Sequence, residues 1–479
     1  MKRWLTVGLV AAAFLAAGCG GTTSSPASAA DIVPASAPVF LALDTDRDST
    51  QWQQVNALAG AFPDKQHAVD SFKRSLSEDG LDWDDDLEPA LGSEVDLVML
   101  DFAHPDHTVG LLQPRDEAAF ERAVERGNKH GGSEQVFYET FRGWTVVANS
   151  QAAIDAFEQA SDRASKTLSD DATFRAAMNK AGDGLVRAYV NGAKAMAAIR
   201  SYMGVEAERY FKRLGTLDWL TTVVRAKKDG IGWDTTVHGT PGSQLEHLQM
   251  TPSNGSLERF VPKDALLYLA FHGTKGMFDG VADNPVLQQP GFSGLGKVFE
   301  QLGQVLQGEN AVYVRGAGGS YPEATLVAAP GKGVDGAAAL DKVIARFSRD
   351  LGAKPQRRTI AGVPARVLGV GKVSLLYANV GGKLVVTNGK GALAFAKNGG
   401  ATVAESTEYA RASRSSALPP KPQAVLYVDI HSTIPAFERI ANTRIPDGIR
   451  RNLQPLRSAV EYAVGRTHEL QVSFFLRIQ

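Results

Sequence analysis

The run Asp44-Thr45-Asp46-Arg47-Asp48-Ser49 opens like a calcium loop, with carboxylates at its first, third and fifth places. The sixth place carries Ser49 where that turn requires glycine, and the twelfth carries Val55 where a bidentate glutamate belongs. Asp44, Asp46 and Asp48 therefore stand as an incomplete set of metal ligands. Asp82-Trp83-Asp84-Asp85-Asp86-Leu87-Glu88 is the densest negative charge in the chain. Its oxygens could gather around a hard cation, but a solvated loop whose carboxylates cap a helix start accounts for it better. His104-Pro105-Asp106-His107 could bring two imidazoles and a carboxylate to one metal; Pro105 forbids a regular helix there, and no cysteine completes the set, so a surface loop is expected. These residues imply no metal and no cofactor.

Anion binding and nucleophilic catalysis fare no better. Gly316-Ala317-Gly318-Gly319-Ser320 lies between two strand patterns and lacks the following Lys and Ser/Thr of a phosphate loop, so it reads as a hairpin turn. Asn388-Gly389-Lys390-Gly391 follows a strand and opens a helix, the right context for an anion. The matching Asn149-Ser150-Gln151-Ala152 keeps only the asparagine, and an N-cap explains that repetition without a ligand. Gly291-Phe292-Ser293-Gly294-Leu295 fails as a nucleophile elbow at its last place. A Ser/His/Asp triad assembled from distant segments stays open, because triads are recognised by geometry and not by spacing.

The elements that would position such residues repeat. Ile32-Val33-Pro34-Ala35-Ser36 leading to Phe40-Leu41-Ala42-Leu43 matches Phe260-Val261-Pro262-Lys263-Asp264 leading to Tyr268-Leu269-Ala270-Phe271, each a proline-punctuated entry to a buried strand. Gly143 to Asn149 is echoed by Gly382 to Asn388, and Leu185 to Asn191 by Gln423 to Asp429, with Tyr189 and Tyr427 in register. Paired strands close both copies, Val223 to Gly239 and Tyr462 to Ile478. Recurrence in one order predicts two tandem related units, 31–250 and 258–479, joined through the turn-rich stretch Thr251 to Ser256.

The fold class expected is α+β, each unit a mostly antiparallel sheet with helices packed on one face. Helices are predicted over Asp116 to Arg126 and Val334 to Phe347. The stretch Gln356 to Val385 is longer than its first-half counterpart and reads as two additional strands around Gly369 and Gly381-Gly382. At the C-terminus Leu470, Val472, Phe474, Leu476 and Ile478 alternate with Gln471, Ser473 and Arg477, which predicts that the first set faces inward.

Composition narrows the partners. The 479 residues carry 51 Lys plus Arg against 52 Asp plus Glu, leaving no excess positive charge for a phosphate backbone, so nucleic acid is not an expected partner. Hydrophobic content of 44% and charged content of 22% suit a globular body. The N-terminus sets the address. Lys2 and Arg3 precede an apolar run from Leu5 to Ala17 of secretory length, too short to span a bilayer. The run ends Leu15-Ala16-Ala17-Gly18-Cys19, which resembles the lipobox of bacterial lipoproteins, with Ala16 where leucine is commoner. Cys19 is the only cysteine, so no intramolecular disulfide competes with its diacylation. Residues 1–18 are thus expected to be a signal peptide and 19–30 a lipidated flexible tether of small residues. The chain is expected on the extracytoplasmic face of the cell membrane.

Gln51-Trp52-Gln53, Phe62-Pro63 and Asp86-Leu87-Glu88-Pro89-Ala90-Leu91-Gly92-Ser93-Glu94-Val95, after the early Val33-Pro34 and Phe40-Leu41 strand, resemble a bacterial family of exported proteins catalogued as a domain of unknown function, number 3352. Members usually carry tryptophan where Ala90 stands. The resemblance implies an extracytoplasmic, often lipid-anchored protein and supplies no catalytic residue. Read from the residues, Trp52, Pro63, Asp86, Pro89 and Gly92 are structural: an aromatic on a helix face, a capping carboxylate, and turn residues where the backbone changes direction. The function expected is a non-enzymatic envelope lipoprotein, a binding or envelope-assembly module presenting a surface or cleft to an envelope protein, lipid or glycan, with a hydrolase of envelope material as the alternative.

Overall fold

The computed structural model describes residues 28–130, 135–203, 216–241, 251–273, 303, 305–316, 321–331, 333–351, 354–370 and 373–479. The expected signal peptide and Cys19 lie outside them, as do 291–295 and 317–320. The chain divides into two compact units: residues 1–248 with 466–473 and 478–479, and residues 249–465 with 474–477. It is a mixed helix and strand protein built on antiparallel pairing.

In the first unit the strands are β1 Val39–Asp44, β2 Glu94–Met99, β3 Thr108–Leu112, β4 Phe137–Phe141, β5 Trp144–Ala148, β6 Val186–Asn191, β7 Leu217–Lys227 and β8 Gly230–Gly239. Their spatial order is β8-β7-β6-β1-β2-β3-β5-β4. Helices are α1 Thr50–Ala59, α2 Lys65–Glu78, α3 Glu117–His130, α4 Gln151–Arg163, α5 Ala172–Ala181 and α6 Gly192–Met203. Phe40, Val98, Leu111 and Tyr189 form one sheet face and pack against Ile154 and Phe157 of α4 and Phe174 of α5. Each such fully buried side chain contributes about 1.5–3 kcal/mol. Ser150 and Asp171 start these helices by accepting the amides of Ala153 and Phe174.

Helices on one face only is an expectation the structure corrects. Leu112 packs with Phe120 of α3 and Ala90 on the other side of the sheet, where Val95 and Val147 join them. All five residues of β3 are buried, so that strand has no solvent face to leave open. The folded body also begins earlier than Asp31: Ala29–Asp31 is a 3-10 turn capped by Ser28, and Ala29 and Ala30 are buried in the core. Small residues suit a tether, but they equally suit a chain threaded tightly beneath a sheet.

The second unit contains β9 Ala265–Gly273, β10 Gly308–Arg315, β11 Glu323–Ala328, β12 Gln356–Ile360, β13 Val363–Val370, β14 Val373–Val380, β15 Lys383–Thr387, β16 Ala424–Asp429 and β17 Leu456–Arg466. They are ordered β17-β16-β9-β10-β11-β15-β14-β13-β12. Its helices are α7 Gly336–Leu351, α8 Lys390–Asn398, α9 Thr407–Ser416, α10 Ile430–Ala441 and α11 Asp447–Leu453. Tyr268, Tyr313, Val385 and Tyr427 pack on Leu393 of α8 and Tyr409 of α9; on the opposite face Leu340, Val343 and Ile344 of α7 cover Tyr377 and Leu384. Between α7 and α8 lie four strands, where the first unit has two between α3 and α4.

The last strand, β18 Glu469–Ile478, reverses the expected parity over Leu470 to Arg477, while Ile478 is buried as expected. Ser473, Phe475 and Arg477 are buried, while Leu470, Val472, Phe474 and Leu476 are half-buried. A buried cation is tolerated when paired, and Arg477 Nη1 donates to Glu408 Oε1 at 2.6 Å.

Candidate functional site

Strand β16 runs directly into α10, and Asp429 at the junction accepts the amide of Ser432 at 2.9 Å and its hydroxyl at 2.8 Å. This carboxylate fixes where the helix starts. Opposite stands the lead-in loop to β9: Pro262 bridges Thr402, and the Lys263 amide donates to the Ala401 carbonyl at 2.9 Å. Between helix and loop opens a cleft of about 900 Å³, walled by Leu266, Phe395 and Pro435 and charged by Lys263, Asp264, Arg315, Asp429 and Arg439.

The charges differ in how they are engaged. Arg315 donates Nε to Glu323 at 2.7 Å. Burial works against its charge, but that bond and the Glu323 carboxylate outweigh burial and raise its pKa. Glu323 in turn occupies the N-terminus of α8: a Cβ on Gly389 would lie 1.9 Å from Glu323 Oε2, and one on Gly391 2.4 Å from Arg315 Nη2. The Gly389-Lys390-Gly391 run thus makes room for the protein's own ion pair, and a carboxylate already holds the anion position at this helix end. Asn388 does not cap the helix; it accepts the Ala324 amide at 2.8 Å and donates to the Pro322 carbonyl at 2.9 Å. Lys263 and Arg439 have no ion-pair partner among the described residues. Ser432 is held by Asp429, whereas His431 Nδ1 faces Arg457 Nη1 at 3.3 Å. Serine, histidine and aspartate are therefore neighbours without forming a relay.

The first unit builds the same corner and fills it. Asn191 accepts the Lys194 amide at 3.0 Å, as Asp429 accepts that of Ser432. Pro34 bridges Thr167, and the Ala35 amide donates to Lys166. The Lys194 side chain crosses the gap, its Nζ donating to the Ser36 carbonyl and, at 3.5 Å, to that of Ala35. Burial lowers the pKa of this ammonium, against the pull of Asp171.

The residues singled out in the sequence serve other ends. Asp44 accepts Ser49 Oγ at 2.7 Å and the Asp46 amide at 2.9 Å, and burial pushes its pKa up to about 6. Asp46 accepts the Asp48 amide and Arg115. These bonds start α1, with Ser49 accepting the Trp52 amide; among the described residues no group of three or more His, Cys, Asp and Glu is placed to hold a metal ion. Trp52 is buried and donates Nε1 to the Asp44 carbonyl at 2.8 Å. Asp86 is buried and accepts Arg126 Nη1 at 2.8 Å and the Asp82 amide at 2.8 Å. The Pro89 carbonyl receives the Asp116 amide at 3.1 Å, just before α3. A Cβ on Gly92 would lie 2.2 Å from the Gln113 carbonyl oxygen. Pro63 sits exposed in the turn between α1 and α2. None of these residues lines the cleft. Lys263, Asp264, Asp429 and Ser432 escaped notice because no motif marks them; the signal available was the position-by-position contrast between the halves.

Residues 4–123 match the family described as Protein of unknown function (DUF3352), so the resemblance carried by Trp52, Pro63 and the Asp86 to Val95 stretch holds there. No curated protein matches the chain. Two solved structures of TP0453 are similar to part of it at 15% identity. Crystal form IV covers 48% of this chain and 83% of its own with a TM-score of 0.27; crystal form III covers 45% and 77% with a TM-score of 0.26.

Proposed function

We propose that this protein is a lipoprotein of the cell envelope, tethered through a diacylated Cys19 to the extracytoplasmic face of a membrane, whose second unit binds an envelope component without turning it over. The two units are read as products of a tandem duplication. Their shared strand order, the Pro34–Thr167 and Pro262–Thr402 bridges, and the capping boxes Thr167/Asp170 and Thr402/Glu405 support that reading. The observation that carries the binding function is the open cleft beside α10, at the corner that the first unit plugs with Lys194. Hydrolysis is the weaker reading, since Ser432 bonds Asp429 directly and His431 faces an arginine.

Native mass spectrometry of the full chain, extracted in mild detergent from a bacterial host, tests the proposal. A covalent lipid-sized mass is expected on the wild type and absent from Cys19→Ala. A non-covalent adduct is expected on both, and lost from Ser432→Trp. An unmodified wild type overturns the anchor; an adduct indifferent to Ser432→Trp, or none at all, overturns the binding function.

A further inference from the structure

At several positions where the cleft differs from its plugged counterpart, the change alters charge. The matched strand registers Phe40↔Tyr189 and Tyr268↔Tyr427 and the matched bonds of Ala35 and Lys263 make the corner equivalent residue by residue. Lys194 corresponds to Ser432, Asn191 to Asp429 and Ser36 to Asp264. The second unit has therefore lost one ammonium and gained two carboxylates. The carbonyls of Ala35 and Ser36, which receive the Lys194 ammonium, correspond to those of Lys263 and Asp264, to which no described side chain donates. Two cations with no ion-pair partner among the described residues have been added as well, Lys263 for Ala35 and Arg439 for Ser201, and both line the cleft beside Arg315, which Glu323 holds.

Resting on the cleft as a binding site, we infer that it takes a zwitterionic head in which a primary ammonium accompanies a phosphate, the chemistry of phosphoethanolamine. The ammonium occupies the Lys194 position against the carbonyls of Lys263 and Asp264 and the carboxylates of Asp264 and Asp429. Lys263 and Arg439 meet the phosphate, for which a guanidinium fork and a lysine point charge are suited partners. Two carboxylates and two unengaged cations leave such a head balanced, whereas an anion alone would leave both carboxylates uncompensated. Lys194 is in this sense a built-in copy of the ligand, an apolar stem ending in an ammonium.

Isothermal titration of the full chain at low salt distinguishes the possibilities. The probes are phosphoethanolamine, dihexanoyl phosphatidylethanolamine, its N-trimethyl counterpart dihexanoyl phosphatidylcholine, and dihexanoyl phosphatidylglycerol. The two ethanolamine probes are expected to bind, and the trimethyl probe at least tenfold more weakly because it has no N–H to donate. Tighter binding of the lipid than of the bare head identifies a membrane lipid as the source; equal binding identifies the free head. Asp264→Asn should weaken binding about tenfold. Ser432→Lys, which imports the first unit's own plug, should abolish it with an unchanged circular dichroism spectrum. Phosphatidylglycerol binding as well as the ethanolamine lipid, with loss in Ser432→Lys, would overturn the ammonium inference and leave the cleft standing. Binding indifferent to Ser432→Lys overturns both, and silence of both ethanolamine probes overturns the inference.

Discussion

Two units with one strand order have placed their charges in opposite places. In the first, a core position carries ions: Asp96 is fully buried on β2 beside Glu94, and Arg187 on β6 donates to Glu94 Oε2 at 2.5 Å. In the second, the equivalent positions of Asp96 and Arg187 are Ala311 and Val425, both buried. At the helix corner the contrast inverts, with a lysine satisfied by carbonyls in the first unit and an open, charged cleft in the second. Under one topology, then, the two positions differ: the first unit keeps ions at the strand position and neutralises its corner, whereas the second, which buries its ion pairs Arg315–Glu323 and Arg477–Glu408 elsewhere, keeps that strand position apolar and leaves its corner charged. Fold alone says nothing about which unit would bind a ligand; the proposal that the second does rests on the polar groups left open in its cleft.

The largest effect expected follows from the ionic core position. Every tryptophan of the chain lies in the first unit, so indole fluorescence during urea unfolding reports that unit separately. Arg187→Val copies the second unit's residue but strands Glu94, whose side chain is 10% exposed, and should cost about 3 kcal/mol. Asp96→Ala also copies the second unit, yet it removes a fully buried carboxylate whose charge is opposed by burial and by the adjacent Glu94. It should be neutral or stabilising near pH 8, by up to about 2 kcal/mol. Equal destabilisation by both variants would show that the contrast is one of packing and not of charge.

A smaller effect is expected at the corner. Lys194→Ser converts the plug into the second unit's residue and removes the bonds to Ser36 and Ala35, at a cost of about 1 kcal/mol in the same unfolding assay. It should not create a phosphoethanolamine site, because Ser36 and Asn191 supply no carboxylate and Ala35 and Ser201 no cation; adding Ser36→Asp, Asn191→Asp, Ala35→Lys and Ser201→Arg to it should. Binding by the single variant would break the comparison by showing that an empty corner suffices.

Much of this frame is legible in the sequence because it is local. The prolines before β1 and β9, the register of Tyr189 with Tyr427, and α3 and α7 are set by neighbouring residues. What escapes reading depends on distant partners. The parity of β18 turns on Glu408, far away in sequence, which makes Arg477 an inward residue. Ala29 and Ala30 look like tether until a sheet is laid over them. Helices on both faces follow from β3 being buried at every position, which five residues, one of them glycine, do not announce. The cleft is the least visible of all, since four separate segments line it and its defining feature is the lysine that Ser432 is not.

The smallest effect, and the one that separates the units by pH, concerns Asp44 and Asp96. Their second-unit equivalents are His272 and Ala311. Burial pushes Asp44 up to about 6, partly offset by its bonds to Ser49 and Asp46, and burial with the adjacent Glu94 raises Asp96 as well, against the pull of Arg187. An acid whose native pKa lies above its unfolded value binds its proton more tightly when folded. Its contribution to stability is therefore complete under acid conditions and is lost as pH climbs through the native value. The urea midpoint reported by tryptophan should accordingly fall between about pH 4, near the unfolded value of this carboxyl, and about pH 6, its native value, and Asp44→Asn should flatten that slope. A midpoint that rises over this interval, or a slope unchanged in Asp44→Asn, would mean that the carboxylates of the first unit are stabilised as anions, and that its core is less distinct from that of the second than the buried charges imply.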